Sequence, residues 1–219
     1  MATTRQLADR PSPLDFAPNV KDRPHGGGTP PLRPLLHHVQ LKTTRLDEMI
    51  EWYCLVTGMV LAFKGMGGAW LTNDDANHRL ALVTSPKLVV DPDKLIHAGL
   101  HHTAWEYRNL DELLDTYVRL RDLGVLPHRT VNHGPITSFY YVDPDGNSVE
   151  LQTDNYGDWR KSALFFETPE FEADPYGPGV DPEAMLAARA AGVSSDELHG
   201  RSYAGEYPNV RPNDRRFPA

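Results

Sequence analysis

The chain has 219 residues, of which 40% are hydrophobic and 24% charged, as expected for a globular protein with one ordinary domain and extensions. The formal net charge of −8 and the lack of a large Lys/Arg cluster exclude a nucleic-acid surface. A single cysteine, Cys54, excludes an internal disulfide framework. Without an apolar leader or a membrane-length apolar stretch, the protein is predicted to be cytoplasmic and to have no membrane partner.

The two ends of the chain are predicted to lie outside the main domain. Residues 1–34 are rich in Pro and Gly and are expected to form an extended arm. Residues 157–219 form a C-terminal extension, in which one short helix is expected to start at Pro182 with Asp181 as its N-cap. The predicted single domain lies between them, at residues 35–156.

An internal repeat occupies this central region. The stretches LHHVQLKTTRLDE, from residue 36, and LHHTAWEYRNLDE, from residue 100, share an LHH triplet and an LDE triplet at the same offset. Each copy begins as a short strand and continues as an amphipathic helix, with apolar residues at spacings of three and four. Glycines at the expected C-caps, Gly58 and Gly124, and three strand-like runs follow. The sequence therefore predicts two βαβββ modules, residues 35–84 and 99–156, in an α+β fold with a curved mixed sheet.

The end of the second module reads as a β-hairpin that carries a carboxylate. The turn is predicted at Asp143–Gly146, because Asp, Pro and Gly stand in the order that a tight turn requires. Glu150 follows between Val149 and Leu151, so an alternating strand turns it away from these two apolar neighbours. A solvent-facing glutamate is the alternative.

The repeat places two histidines at equivalent positions. His38 and His102 occupy the same place in the first strand of each copy, and Ala81 aligns with Glu150 in the last strand. Two imidazoles and one carboxylate with open positions suit a non-haem Fe(II) centre, although Mn(II) could use the same ligands and Zn(II) remains an alternative. Strand alternation predicts that the adjacent residues, His37 and His101, face the opposite side of the sheet.

The paired modules, residues 35–156, resemble the vicinal oxygen chelate superfamily, which includes glyoxalase I, resistance proteins, epimerases and extradiol dioxygenases. Within it, VNHGPITSFYYVDPDGNSVE, at residues 131–150, is similar to the extradiol dioxygenase motif. One module pair resembles the single-domain branch of the type I, catechol 2,3-type enzymes. The resemblance implies His38, His102 and Glu150 as metal ligands.

The resemblance also implies residues that act on the substrate. His133 and Tyr140 match groups that hydrogen-bond the substrate oxygen, and His78, in NHRLAL, matches a histidine that exchanges protons. His97, in the insert that follows, is a rival for that last role.

These assignments predict an Fe(II)-dependent extradiol ring-cleaving dioxygenase of aromatic compound catabolism. Its partners are a small aromatic diol and O2, its product is of the 2-hydroxymuconic semialdehyde type, and a homo-oligomer is expected. Two alternatives use the same scaffold. A glyoxalase-like or epimerase-like enzyme would want a fourth protein ligand, whereas a metal-free sequestering protein would need none.

Overall fold

The structure, a computed structural model, describes residues 34–210 and 212–216. The predicted N-terminal arm therefore lies, except for its last residue, outside the described residues. The chain divides into two compact units, one ending at Leu88 and the other beginning at Val89. This boundary separates the two copies of the repeat. Among the described residues, no helix is both long enough and apolar enough to cross a membrane.

The first unit folds as one βαβββ module. Its elements are β1 (Val39–Lys42), α1 (Leu46–Thr57), β2 (Val60–Gly65), β3 (Gly68–Thr72) and β4 (Leu80–Val83). The strands form a mixed sheet in the order β1-β4-β3-β2, in which β1 runs parallel to β4 and the other neighbours are antiparallel.

The second unit repeats this topology. Its module consists of β5 (His102–Tyr107), α2 (Leu110–Asp122), β6 (Arg129–Asn132), β7 (Ile136–Val142) and β8 (Ser148–Asp154). The strand order is β5-β8-β7-β6, again with the first and last strands parallel. The α+β fold class with two βαβββ modules is confirmed.

Each module helix buries one face against its own sheet, because its apolar residues recur every three or four positions. In α1, Met49 and Tyr53 have no exposed surface, and in α2 the same holds for Leu113 and Leu120. Gly58 ends α1 in the left-handed conformation, with φ of 68°, which glycine adopts without the penalty of a Cβ atom.

The β7–β8 hairpin is closed by the predicted turn. The N–H of Gly146 donates to the Asp143 carbonyl at 2.8 Å, and the N–H of Asn147 donates to the Asp143 carboxylate at 2.7 Å. This turn fixes the register of the two strands. The register places Tyr140 directly across from Glu150.

The C-terminal extension is more helical than the sequence indicates. Its described part contains α3 (Trp159–Phe165), α4 (Pro169–Ala173), α5 (Pro182–Ala190) and α6 (Ser195–Tyr203). The expected helix is confirmed as α5, with the Asp181 side chain accepting from the N–H of Glu183. The first two helices are too short to show an apolar period. The last starts with a Ser194-x-x-Glu197 capping box, a readable signal that the prediction of a single helix overlooks.

Candidate metal centre and active site

Glu150 is a buried carboxylate on β8, with only 3% of its surface exposed. Its neighbours Val149 and Leu151 are fully buried on the other face of the sheet, where α2 packs. From the facing position on β7, the hydroxyl of Tyr140 donates to Oε1 of Glu150 at 2.9 Å. The solvent-facing alternative for Glu150 is therefore wrong.

His102, the first residue of β5, lies beside this carboxylate. Its Nε2 is 2.9 Å from Oε2 of Glu150. Burial is the largest single influence on the pKa of Glu150 and would raise it, but the hydrogen bonds and charge of His102, Ser138 and Tyr140 together outweigh burial, so the pKa lies below its usual value. The carboxylate is thus an anion at neutral pH.

The neighbours of His102 allow its proton to sit on Nδ1. Nε2 of His101 is 3.1 Å from the carbonyl of Arg215, and since a carbonyl only accepts, this nitrogen is the donor. In neutral His101, Nδ1 is then an acceptor, and it is 2.7 Å from Nδ1 of His102. With an ion bound, neutral His102 would keep its proton on Nδ1 and turn the lone pair of Nε2 toward the ion, whereas without an ion a proton on Nε2 makes the hydrogen bond to Glu150.

An imidazole nitrogen and a carboxylate oxygen, each able to donate an electron pair, fit a bound cation at this distance. Ligand atoms about 2.1 Å from a divalent ion and at right angles to each other are about 3 Å apart. The 2.9 Å between His102 Nε2 and Glu150 Oε2 matches that spacing. The donor on the other nitrogen of His102 is also the arrangement that metal-binding histidines use. The residues of the second unit therefore fit two ligands of one ion.

His38, the third predicted ligand, belongs to the first unit and directly precedes β1. Its Nδ1 is 3.0 Å from Nδ1 of His37, the same contact that His101 and His102 make in the second copy. The prediction that His37 and His101 face away is wrong, since both precede their strands and alternation does not constrain them.

The first unit also brings His37, His38 and His78 together. One ring nitrogen from each lies within 4.8 Å of the others, and the rings of His38 and His78 are 4.4 Å apart between centroids. Burial, and then the charges of His38 and His37, lower the pKa of His78. The Nδ1 atom of His78 is 2.7 Å from the amide oxygen of Asn77, which fixes the ring.

His97, the rival of His78, lies in the second unit. Its side chain is 58% exposed, and its Nδ1 atom is 2.8 Å from a carboxylate oxygen of Asp91. Together with Asp93, these residues form an exposed acidic group.

Ala81 occupies the position in the first module that Glu150 occupies in the second. Ala81 pairs with Gln40 on the first strand and Trp70 on the third, as Glu150 pairs with Ala104 and Tyr140. The alignment of Ala81 with Glu150 is confirmed in the register, so the repeat supplies a carboxylate from the second copy alone.

His133 and Tyr140 continue the network away from Glu150. The Nε2 atom of His133 is 3.1 Å from the Tyr140 hydroxyl. Burial, followed by the charge of Glu150, raises the pKa of Tyr140, so the hydroxyl keeps its proton. Burial, followed by the charge of Arg129, lowers the pKa of His133, so the ring is neutral near pH 7.

Arg129 is a residue of this site that sequence reasoning missed. It pairs with Tyr140 across the β6–β7 ladder, is 9% exposed, and holds its guanidinium 5.1 Å from the centroid of the Tyr140 ring. Within the described part of the chain, no carboxylate forms an ion pair with it. The sequence signal for this contact was an arginine in the strand that precedes the aromatic run SFYY. Only the register of β6 with β7 shows which aromatic ring the arginine covers.

The fold and the site define a class of protein. A family model described as the Glyoxalase/Bleomycin resistance protein/Dioxygenase superfamily matches residues 35–151. The chain belongs to this superfamily, which confirms the resemblance to the vicinal oxygen chelate proteins.

Three curated relatives are named dioxygenases. Biphenyl-2,3-diol 1,2-dioxygenase 2 of Rhodococcus globerulus is 37% identical over 180 residues, covering 82% of this chain and 94% of the relative. Biphenyl-2,3-diol 1,2-dioxygenase 3 of the same species is 39% identical over 182 residues, covering 83% and 96%. Catechol-2,3-dioxygenase of Bacillus subtilis is 30% identical over 118 residues, covering 53% and 40%. These names support a dioxygenase.

Proposed function

We propose that the protein is an extradiol dioxygenase, which uses O2 and Fe(II) to open the ring of a catechol-type diol. The carbon–carbon bond beside the two hydroxyl groups breaks, and both oxygen atoms of O2 enter a product of the 2-hydroxymuconic semialdehyde type. The observation that carries the proposal is the 2.9 Å approach of His102 Nε2 to the buried carboxylate of Glu150, with the Tyr140 hydroxyl beside it. The names of the relatives support the same class.

Three residues would hold the ion. His102 and Glu150 supply two donors, and the equivalence of the two copies indicates His38 as the third. This donor set suits Fe(II), and Mn(II) could use the same ligands. When bound, the ion supplies a positive charge that lowers the pKa of the diol hydroxyls and a redox centre for O2.

His78 is suited to take a proton from the substrate. Since Asn77 presents an amide oxygen to Nδ1, neutral His78 carries its proton there and leaves Nε2 as an acceptor. Its lowered pKa keeps the ring neutral near pH 7. Nε2 can accept a hydroxyl proton and return it later in the reaction.

Tyr140 and His133 are suited to hold the substrate oxygen. The raised pKa of Tyr140 keeps a hydrogen-bond donor in a buried, low-dielectric position, where such a bond to a developing negative charge is strong. The neutral ring of His133 contacts the Tyr140 hydroxyl through Nε2 and orients it.

The other functions of the superfamily fit these residues less well. A glyoxalase-like or epimerase-like enzyme would require a fourth protein ligand, and Ala81 occupies the equivalent position. A metal-free sequestering protein has no use for a histidine paired with a buried carboxylate.

The test is reconstitution of the full chain with Fe(II) under anaerobic conditions, followed by metal analysis. Biphenyl-2,3-diol and catechol are then added in air-saturated buffer, and the yellow ring-opened product and O2 consumption are followed together. We expect one O2 per diol with Fe(II), and no O2 consumption with Zn(II)-loaded protein or Glu150→Ala. Protein that retains Fe(II) but consumes no O2 with any diol would contradict the proposal.

A further inference from the structure

The C-terminal extension packs against the residues on either side of His133. Asn132, the last residue of β6, has no exposed surface, and Gly134, on the other side of the histidine, is also buried. Between them, the N–H of His133 donates to the carbonyl of Ile136 at 2.9 Å, which closes a turn before β7. The position of the His133 backbone therefore depends on how firmly its two neighbours are held.

The side-chain amide of Asn132 links this turn to α6. Its Nδ2 atom donates to Oγ of Ser202 at 2.7 Å and to the carbonyl of His199 at 3.1 Å, and both partners belong to α6. Its Oδ1 atom accepts from the N–H of Gly134 at 2.9 Å. Because a backbone N–H only donates and a carbonyl only accepts, the amide has one possible orientation. A single buried side chain thus joins α6 to the backbone on the far side of His133.

Asn155, directly after β8, holds the same turn from a second direction. Its Nδ2 atom donates to Oδ1 of Asn132 at 3.2 Å and to the carbonyl of Gly134 at 2.9 Å. The main-chain N–H of Asn132 donates to the carbonyl of Pro178, a further residue of the extension, at 3.0 Å. Both the amide and the main chain of Asn132 are therefore fixed by hydrogen bonds in a buried position, where such networks are rigid.

Gly134 is covered by the end of α3. Its φ is +93°, and a Cβ atom there would lie 2.2 Å from Cε1 of Phe165, so the aromatic ring lies directly against the backbone of the turn. The same ring contacts Tyr203 of α6, with ring centroids 5.4 Å apart. The two helices of the extension therefore support the turn together, one through an aromatic ring and the other through the Asn132 amide.

The ring of His133 connects the turn to the proposed active site. Its Nε2 atom is 3.1 Å from the hydroxyl of Tyr140, which in turn donates to Oε1 of Glu150 at 2.9 Å. A displacement of the His133 backbone would change the distance between Nε2 and that hydroxyl. Small displacements of groups that contact a reacting substrate reduce the rate strongly.

We propose that Asn132 is a positioning residue, through which α6 of the C-terminal extension holds the ring of His133 against Tyr140. The role of His133 toward a substrate rests on the proposed function, whereas the position of its ring does not. The extension, although it lies outside the two modules, is then required for the geometry of the site.

Two serine substitutions on α6 separate this role from simple anchoring of the helix. Ser202→Ala removes the hydroxyl that accepts from Asn132. Ser195→Ala is the matched control, because the Ser195 hydroxyl donates to a carboxylate oxygen of Asp111 on α2 at 2.8 Å. Each variant removes one hydroxyl that joins α6 to the module, and of the two serines only Ser202 contacts Asn132.

The position of the ring is read from the NMR signal of the His133 Cε1–H group, in the metal-free full chain with labelled histidine. At pH 8 the ring is neutral, since burial lowers its pKa, and titration does not move the signal. The signal is assigned by its loss in His133→Gln. We expect it to be displaced or broadened in Ser202→Ala and unchanged in Ser195→Ala. An unchanged signal in folded Ser202→Ala overturns the proposal, and so does an equal displacement in Ser195→Ala.

Turnover by the Fe(II)-loaded protein provides a double-mutant cycle between Asn132 and His133. Asn132→Ala alone should lower kcat at least tenfold with iron content unchanged, since small displacements near the reacting atoms cost up to about a hundredfold. In the His133→Gln background, the same substitution should change kcat by less than about twofold, because the ring that Asn132 positions is absent. Losses that multiply in the double variant would indicate general damage and would overturn the proposal.

The two measurements also separate this proposal from the proposed function. A chain without dioxygenase activity but with the expected His133 signals would contradict the proposed function alone. A dioxygenase whose His133 signal ignores Ser202→Ala would contradict the positioning role alone. Ser202→Ala and Asn132→Ala test that role independently, so if one variant does not fold, the other decides.

Discussion

Tyr140 and Glu150 face each other across the β7–β8 ladder, and the tyrosine hydroxyl donates to Oε1 of the carboxylate at 2.9 Å. On the opposite side of the same carboxylate, Oε2 faces Nε2 of His102. One oxygen of Glu150 therefore accepts a hydrogen bond from Tyr140, and the other is available to bind a cation.

This division predicts different effects for two substitutions. Glu150→Ala should abolish iron retention, because it removes the anionic ligand. Tyr140→Phe should leave iron bound and lower kcat by about 10²–10⁴-fold, the range for loss of one positioned proton donor. Metal analysis after gel filtration, combined with steady-state turnover, measures both effects. Equal iron loss in the two variants would show that the roles are not separate.

Removing the charge of Arg129 should raise the pKa of His133. Burial lowers this pKa most, and the nearby guanidinium lowers it further because it disfavours a second positive charge. Arg129→Met keeps much of the apolar volume and removes the charge. An NMR titration of His133 in metal-free protein should show a higher midpoint in the variant.

Lys161→Met, at an exposed cation on α3 of the same unit, is the matched control for Arg129→Met. It should leave the His133 midpoint in place. A midpoint that stays unchanged or falls in Arg129→Met would mean that the guanidinium does not act on this ring.

The second unit should lose stability as the pH falls below about 6.5, the ordinary histidine pKa. Burial lowers the pKa of His128, His133 and His199 in the folded chain. The unfolded chain therefore binds more protons in this range, and the free energy of unfolding decreases with acidification. Urea unfolding at pH 7.5 and pH 5.5 should show the decrease, with little change between pH 7.5 and 8.5.

Replacing one of these three buried histidines tests whether it contributes to the pH dependence of the free energy of unfolding. His199→Gln should make the decrease between pH 7.5 and 5.5 smaller, since one fewer buried imidazole has to be protonated on unfolding. A decrease as large as that of the wild type would exclude His199 as a contributor.

The packing of α2 should dominate the stability of the second module. Leu113 has no exposed surface, and Leu113→Ala should lower the free energy of unfolding by about 2–5 kcal/mol, through lost burial and the cavity left behind. Leu164→Ala, at a residue that is 61% exposed, should change it by less than about 0.5 kcal/mol. Urea unfolding of both variants measures the difference, and similar losses would argue against this core.

The parts of the fold that sequence predicted are those with local signals. The LHH and LDE triplets marked the repeat, and the turn at Asp143–Gly146 fixed the register that sets Tyr140 opposite Glu150. Alternation along β8 alone indicated that Glu150 turns away from its apolar neighbours. Each of these inferences depends on residues close together in the chain, where spacing has a direct geometric meaning.

What the sequence did not reveal depends on distant segments or on the main chain. The contact of the Arg215 carbonyl with Nε2 of His101 uses a main-chain group, which every residue possesses, so no residue type marks it. Alternation misplaced His37 and His101 because the strands start after them.

The parallel pairing of β5 with β8 has a consequence for the order of events during synthesis. His102 and Glu150 come from the first and last strands of the module, and they can meet only after everything between them has been synthesised. A chain still emerging from the ribosome holds one of these donors without the other, and it cannot form the complete pair. Metal binding would then follow the completion of the second module, and a bound ion would indicate that the module is complete.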